Sequence, residues 1–211
     1  MTRGKFITVE GIEGTGKSTN IDFVIALVQA QGIEVLRTRE PGGTPMAEKI
    51  RQLLLDHGQE PLPSIAELLL FFAARSLHVR NTIIPALDAG RWVVCDRFTD
   101  ASRAYQGSGR GLDLQRIEQL ADWVQEGIEP DLTILLDAPA EIGMRRAQAR
   151  GRGDRLDNED LAFYRRVRNG YLTLADTYPG RFVVIDASRS IAEVQRSIRD
   201  KMRPIITHKV V

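Results

Sequence analysis

The stretch EGIEGTGKST, residues 10–19, carries the most specific chemistry in the chain. Gly11, four intervening residues, then Gly16, Lys17 and Ser18 give the spacing with which a loop wraps its backbone N–H groups around a polyphosphate. The glycines let the backbone approach the phosphates, and a helix starting near Lys17 would turn its positive end toward them. Lys17 is then placed to reach the β- and γ-phosphates, and the Ser18 hydroxyl to ligate Mg²⁺. Glu13 stands in the middle of this cradle. A carboxylate among phosphates is repulsive by roughly 4 kcal/mol per charge pair at about 4 Å and an effective dielectric of about 20. It must therefore be a solvated loop acid or meet some other group.

A phosphate loop does not name a reaction, because switches and motors share it. The guanine-reading pattern Asn-Lys-x-Asp and the switch pattern Asp-x-x-Gly are both absent from the sequence. A second site for a phosphate acceptor would decide the matter. The run CDRF, residues 95–98, offers one. Asp96 suits Mg²⁺ or its waters, and Arg97 suits an oxyanion through its planar fork. An internal Asp–Arg ion pair is the alternative. Asp137, ending the run ILLD, is a weaker candidate for the same magnesium role. In LLLFFAARSL, residues 68–77, Phe71 and Arg75 are one turn apart and share a helix face. That pair can hold a flat heterocycle by stacking and by donation to a carbonyl, although, taken alone, core packing is the favoured reading of Phe71. Ser102, Tyr105 and Gln106 follow in SRAYQGSGRG, residues 102–111, read as a loop or short helix. Arg145, Arg146, Arg150, Arg152 and Arg155 crowd the segment 144–160. They form either a solvated basic face or a source of mobile positive charge for phosphoryl transfer, with Gly151 and Gly153 permitting a hinge.

These residues must be positioned by a larger frame. Short apolar runs at 5–10, 33–40, 91–98, 131–138 and 181–187 read as strands, and helix-length segments separate them. The alternation argues for right-handed βαβ units and an α/β fold: a three-layer arrangement with a five-stranded parallel sheet flanked by helices. The segment 64–90 reads as one long apolar helix, bent near Pro85. With 211 residues and no repeat or linker, one domain over 1–211 is expected, with a mobile insert near 145–158. Twenty-nine Lys and Arg against 28 Asp and Glu leave no global charge to recruit nucleic acid or a membrane surface. The single cysteine, Cys95, excludes a disulfide framework and reads as a small core residue. No apolar run is long enough to span a bilayer. The N-terminus passes straight into a strand, so no signal peptide and a cytoplasmic location are expected.

Taken together, EGIEGTGKST, TREPGGT (38–44), FFAAR (71–75), DRF (96–98) and AYQGSGRG (104–111), in this order, resemble the thymidylate kinases. The resemblance spans roughly residues 5 to 187. It implies transfer of the γ-phosphate of ATP to dTMP with Mg²⁺, in a P-loop fold that is typically homodimeric. It implies that residues 11–19 (Gly11, Ile12, Glu13, Gly14, Thr15, Gly16, Lys17, Ser18 and Thr19) contact ATP, and that Ser18 and Asp96 serve the metal. Phe71 would stack on thymine and Arg75 would bond its O4 carbonyl. Ser102 and Gln106 would lie near the base edge, and Tyr105 would crowd the ribose C2′ position. Arg97 would hold the dTMP phosphate with Arg39 nearby, and Glu13 would accept from the 3′-hydroxyl. Many members carry Ser where this chain has Ala101, so that polar contact would pass to Ser102. Because Gly14 supplies no arginine in the loop, the resemblance puts the transferring charge in a lid. Arg150 is the first choice, then Arg146, then Arg155, with Asp157 and Glu159 as tethers. The segment 186–190 would shelve the adenine. Arg103 has no assignable role. Two rivals are a deoxynucleoside kinase or another nucleoside monophosphate kinase, and a nucleotide-dependent switch or clamp-loader-like protein. The cationic acceptor site, with Arg97 and Arg39, argues against the first; the missing switch patterns argue against the second.

Overall fold

The computed structural model describes residues 3–56, 60–149, 151 and 159–207. Five parallel strands form one sheet: β1 (Phe6–Glu10), β2 (Val35–Arg39), β3 (Trp92–Asp96), β4 (Leu132–Asp137) and β5 (Phe182–Asp186). Their spatial order is β2-β3-β1-β4-β5. From β1 the chain goes to the edge strand β2, returns through β3 beside β1, and then crosses to β4 and β5 on the other side, so the loops after β1 and β3 meet at the point where the order reverses. In such sheets the crevice beyond the carboxyl ends of the strands takes the ligand.

Central strands of a parallel sheet are covered on both faces and read as near-continuous apolar runs. Every residue of β1 is buried. Ile7 and Val9 face one side, where α1 (Lys17–Gln29) and α9 (Ile191–Thr207) cover them through Ile21, Val24, Ile198 and Met202. Phe6 faces the other side and meets Val79, Ile83 and Leu87. That second layer also contains α7 (Ala140–Ala149) and α8 (Leu161–Thr177). The period of two carries Thr8 and Glu10 onto the same side as Phe6. Thr8 pairs there with Thr133, hydroxyl to hydroxyl at 3.0 Å. The expected three layers and parallel sheet are thus present.

Two element expectations are sharpened. The long helix of 64–90 divides into α3 (Ser64–His78), a π-helical turn at Val79–Ile83, and α4 (Ile84–Asp88). The cause is Pro85, which lacks an N–H and whose ring clashes with the carbonyl four residues earlier; a widened turn just before it removes the conflict. The run 102–111 takes the helical alternative as far as Gly109. It continues α5 (Thr99–Ser102) as a second π-helical stretch, Arg103–Gly109, buried at nearly every position and packed on α8. The remaining helices are α2 (Pro45–Leu55), capped by the Thr44 hydroxyl, and α6 (Leu114–Gln125), capped by Asp113. Among the described residues no helix is long and apolar enough to cross a membrane.

Candidate active site

The loop between β1 and α1 holds its shape through glycines at positive φ: Gly11 at 138°, Gly14 at 75° and Gly16 at 85°. The Thr15 hydroxyl donates to the Ile12 carbonyl at 2.9 Å and closes the turn. Lys17 opens α1, and its ammonium donates to the carbonyls of Gly11 and Ile12 at 3.1 and 3.0 Å. Burial, and the Arg97 charge beside it, hold that ammonium below the usual lysine range. Ser18 and Thr19 stand exposed in the first turn of the helix. A Cβ on Gly14 would collide with the Gly143 carbonyl of α7, so no arginine side chain fits at this loop position.

Glu13 meets two cations rather than solvent alone. One carboxylate oxygen pairs with Arg97, and the other lies 3.7 Å from the Lys17 ammonium. Arg97 follows β3 with φ at 68°, in the left-handed region where a non-glycine residue is strained. Its guanidinium also donates to the Gly11 carbonyl at 3.1 Å and to the hydroxyls of Tyr105 and Tyr171 at 3.1 and 3.3 Å. It lies over the Tyr105 ring, 4.7 Å from the centroid. The ion pair open to Arg97 and Asp96 at the sequence level is therefore replaced by Arg97–Glu13. Asp96 instead keeps one carboxylate oxygen, Oδ1, buried and without a partner.

The far end of the same crevice is built on α3 and α5. Phe71 is half-buried and lines the space, whereas its neighbour Phe72 points into the core. Arg75 is only 1% exposed. Its Nε donates to Glu40 at 2.7 Å, and Nη2 donates to the Phe98 carbonyl at 3.2 Å and the Ser102 hydroxyl at 3.1 Å. Its Nη1 is buried with no partner. The Gln106 side-chain amide donates to Glu67 at 2.9 Å. Arg39 is exposed at the rim, 2.9 Å from Glu48. The phosphate loop, Asp96, Arg97, Phe71, Arg75, Ser102, Tyr105, Gln106 and Arg39 all border one cleft of about 350 Å³.

Other expected residues lie elsewhere. Thr19 does not line the cleft, and Ile12 and Thr15 are buried beneath it. Arg146 reaches across to the loop after β5, donating to the carbonyls of Ala187 and Ser188 at 2.7 and 3.2 Å. Arg150, Arg152, Arg155 and Asp157 lie outside the described residues. Asp137 is corrected: it forms a two-point ion pair with Arg168 of α8, at 2.7 and 2.8 Å, and so is committed to a helix rather than to a metal. Arg103 gains a role as a brace, joining Asp100 at 2.9 Å to Glu118 at 2.7 Å. Cys95 is fully buried, as expected.

Three groups had no signal in the spacing. Glu10, at the end of β1, is fully buried and accepts from the Phe98 N–H and the Tyr171 hydroxyl, both at 2.7 Å. Burial, with the Asp100 charge adding to it, pushes the Glu10 carboxyl up to about 8. Tyr171 comes from α8, and only the fold brings it to Arg97. Glu40 sits behind Arg75. Burial opposes its ionisation, but Arg75 and His78 outweigh that and hold its carboxyl below the usual range. A carboxylate ending an otherwise apolar strand was the one legible hint, at Glu10.

The cleft fits a nucleotide-bound divalent cation. Among the described residues no cluster of three or more His, Cys, Asp or Glu could hold a metal ion alone. The unpartnered Asp96 oxygen and the exposed Ser18 hydroxyl leave most of a coordination sphere to phosphate oxygens and water, the mode that magnesium favours.

Comparison with known proteins adds independent findings. Residues 9–198 match the family model described as thymidylate kinase. The chain is 54% identical to the thymidylate kinase of Methylococcus capsulatus, over 100% of both chains, and 60% identical to that of Chromohalobacter salexigens, over 94% of both. A crystal structure of thymidylate kinase from Ehrlichia chaffeensis superposes with a TM-score of 0.76 at 35% identity, covering 95% of this chain and 99% of that one.

Proposed function

Since the chain belongs to the thymidylate kinase family, and so is an enzyme that transfers the γ-phosphate of ATP to dTMP to give ADP and dTDP, we propose how its own residues divide that work. The donor phosphates lie on the loop Gly11–Thr19, with Lys17 turning from the loop carbonyls to the β- and γ-phosphates. Arg97 holds the acceptor phosphate, with Arg39 at the rim. Phe71 stacks on the base, Arg75 donates to its carbonyl, and Ser102 and Gln106 complete the base edge. Tyr105 crowds C2′ of the sugar, and Glu13 accepts from the 3′-hydroxyl. The observation that carries this reading is the unpartnered Nη1 of Arg75. A buried guanidinium N–H is costly without an acceptor, and Arg75 lines a cleft that also contains the phosphate loop.

A phosphate oxygen of dTMP attacks the γ-phosphorus as the bond to the β,γ-bridging oxygen breaks, and ADP leaves with that electron pair. No general base or covalent intermediate is needed, so catalysis is positioning plus charge stabilisation. As a kinase acting with ATP the enzyme works with a divalent metal; we assign Mg²⁺, held by Ser18 and Asp96. When bound, that ion neutralises charge on the transferring phosphates. Gly14 supports the absence of a loop arginine, and the remaining charge is assigned to the lid near 145–158, first to Arg150. Arg146, tied to the 187–188 carbonyls, supports the adenine shelf there. The whole chain is read as one domain.

A homodimer goes with this reading. Met46 and Leu53 of α2 and Ile65 and Leu69 of α3 are each more than half exposed, an apolar surface that a second copy would cover. Sedimentation at micromolar concentration decides it: a monomer there rejects the dimer. A cytoplasmic location follows from where ATP and dTMP occur together. The residue assignments are tested by an ATP-coupled assay across nucleoside monophosphates and thymidine. Selective turnover of dTMP is expected. Turnover of thymidine alone, or ATP consumption without an acceptor, overturns the acceptor site as assigned.

A further inference from the structure

Behind the base end of the cleft lies a row of side chains, buried except for the half-buried Thr38, of which only Arg75 has a role assigned above. Thr38 and Glu40, two residues apart where β2 ends, face one side of the sheet. His78 ends α3 and is completely buried. Its Nδ1 lies 2.9 Å from Glu40 Oε1, and its Nε2 lies 2.6 Å from the Thr38 hydroxyl. Arg75, one helical turn earlier, donates through Nε to the other Glu40 oxygen at 2.7 Å. The row thus runs Thr38, His78, Glu40, Arg75. Facing a carboxylate, Nδ1 must be the donor, while the Thr38 hydroxyl can serve Nε2 in either sense. The loop after β2 seals the row: a Cβ on Gly43 would collide with the His78 ring.

The geometry of the guanidinium gives this row a consequence. Nε is committed to Glu40, and Nη2 to the Phe98 carbonyl and Ser102. Because the group is planar and rigid, fixing two nitrogens fixes where the third points. A carboxylate that accepted from Arg75 alone could still turn about its last bond. The second hydrogen bond, from His78, removes that freedom. The direction of Nη1 therefore depends on a residue outside the cleft.

We propose that His78 is a positioning residue for base selection: through Glu40 it fixes the direction of Arg75 Nη1, the donor left for the base. This rests on the assignment of Arg75 to the base carbonyl. A guanidinium only donates. It accepts a pyrimidine with a carbonyl at that edge and opposes one with an amino group there, which would set donor against donor. The sharper the direction of Nη1, the larger that difference, because a small misplacement of a positioned group can cost a large factor in rate.

The test compares dTMP with 5-methyl-dCMP, which keeps the methyl, sugar and phosphate but replaces the 4-carbonyl by an amino group and, with it, the N3–H donor by a bare N3 acceptor, so the change in ratio between variant and wild type, not the ratio itself, reads the direction of Arg75. Steady-state kinetics at saturating ATP are measured on the full chain and on H78A, H78N, T38V and R75A. In H78A the ratio of kcat/KM for dTMP to that for 5-methyl-dCMP should fall by roughly 10- to 100-fold, mainly through KM for dTMP. KM for ATP should stay unchanged. In H78N the amide nitrogen can stand where Nδ1 stands and donate to Glu40, so most of the ratio should return. T38V removes a hydroxyl at the far end of the row and should shift the ratio the same way by a smaller factor. It serves as the test should H78A fail to fold. If R75A collapses the ratio while H78A, or T38V in its place, leaves it at the wild-type value, the proposal is overturned and the assignment of Arg75 stands. A ratio unchanged in R75A overturns the assignment itself. Equal losses with both substrates in H78A and H78N would make His78 a packing residue only.

Discussion

Replacing Glu10 by Gln isolates a buried proton. Glu10 ends β1 with its carboxyl wholly removed from water, and its titration moves from the ordinary value of 4.5 up to about 8. In the unfolded chain it ionises near 4.5. Between those two values the folded protein keeps a proton that the unfolded chain has lost, so folding becomes less favourable as pH rises. The slope is about 1.4 kcal/mol per pH unit, and the loss levels off above the folded value, at a total of at most roughly 5 kcal/mol. Below the unfolded value the contribution is fully present. Glutamine fills the same space, keeps a carbonyl for the Phe98 N–H, and offers its amide to the Tyr171 oxygen without titrating. The unfolding free energies of the two proteins should therefore differ by a constant in acid. The gap should then widen in favour of E10Q by about 1.4 kcal/mol per unit from about pH 5 to 8. Urea unfolding at a series of pH values measures this. The buried Trp92 provides the fluorescence change, since Trp123 is already 82% exposed in the folded state. Parallel stability curves across that interval would refute the reasoning and mean that Arg97 holds Glu10 ionised.

Three further outcomes are expected. R97A should cost roughly 2–5 kcal/mol in kcat/KM for dTMP with KM for ATP little changed; an equal loss of ATP affinity would tie Arg97 to the donor side through Glu13. Y105A should improve use of the ribose analogue relative to dTMP by about 1–3 kcal/mol. Tyr105 also supports Arg97 from below, so both substrates should lose absolute rate, and an unchanged ratio would remove Tyr105 from sugar selection. R150A should lower kcat by roughly 10²- to 10⁴-fold with little change in KM or melting temperature, and R152A far less. Matching behaviour of the two variants would put the transferring charge elsewhere.

The frame and the donor loop are legible in the sequence alone. Both are local: the glycine spacing at 11–18 fixes the backbone, and apolar runs separated by helix-length segments can be satisfied by a parallel sheet covered on both faces. It also nominated Phe71, Arg75, Asp96 and Arg97, because chemically unusual residues at strand ends or on apolar helix faces stand out one element at a time. What it left open was partnership. Whether Glu13 met solvent or a cation was decided by the return of β3 beside β1, which delivers Arg97 across 84 residues of chain. Asp137, like Asp96, ends an apolar strand, and in sequence it was the weaker candidate for the same role. Only the packing of α8 separated them, giving Asp137 an arginine and leaving Asp96 Oδ1 unpaired. Glu10, Glu40, His78 and Tyr171 are ordinary residues in their local sequence. The hydrogen-bond partners of their side chains lie 35 or more residues away along the chain, up to the 161 residues between Tyr171 and Glu10. Burial and partnership set the charge state of a polar group, and both are properties of the assembled layers rather than of any segment.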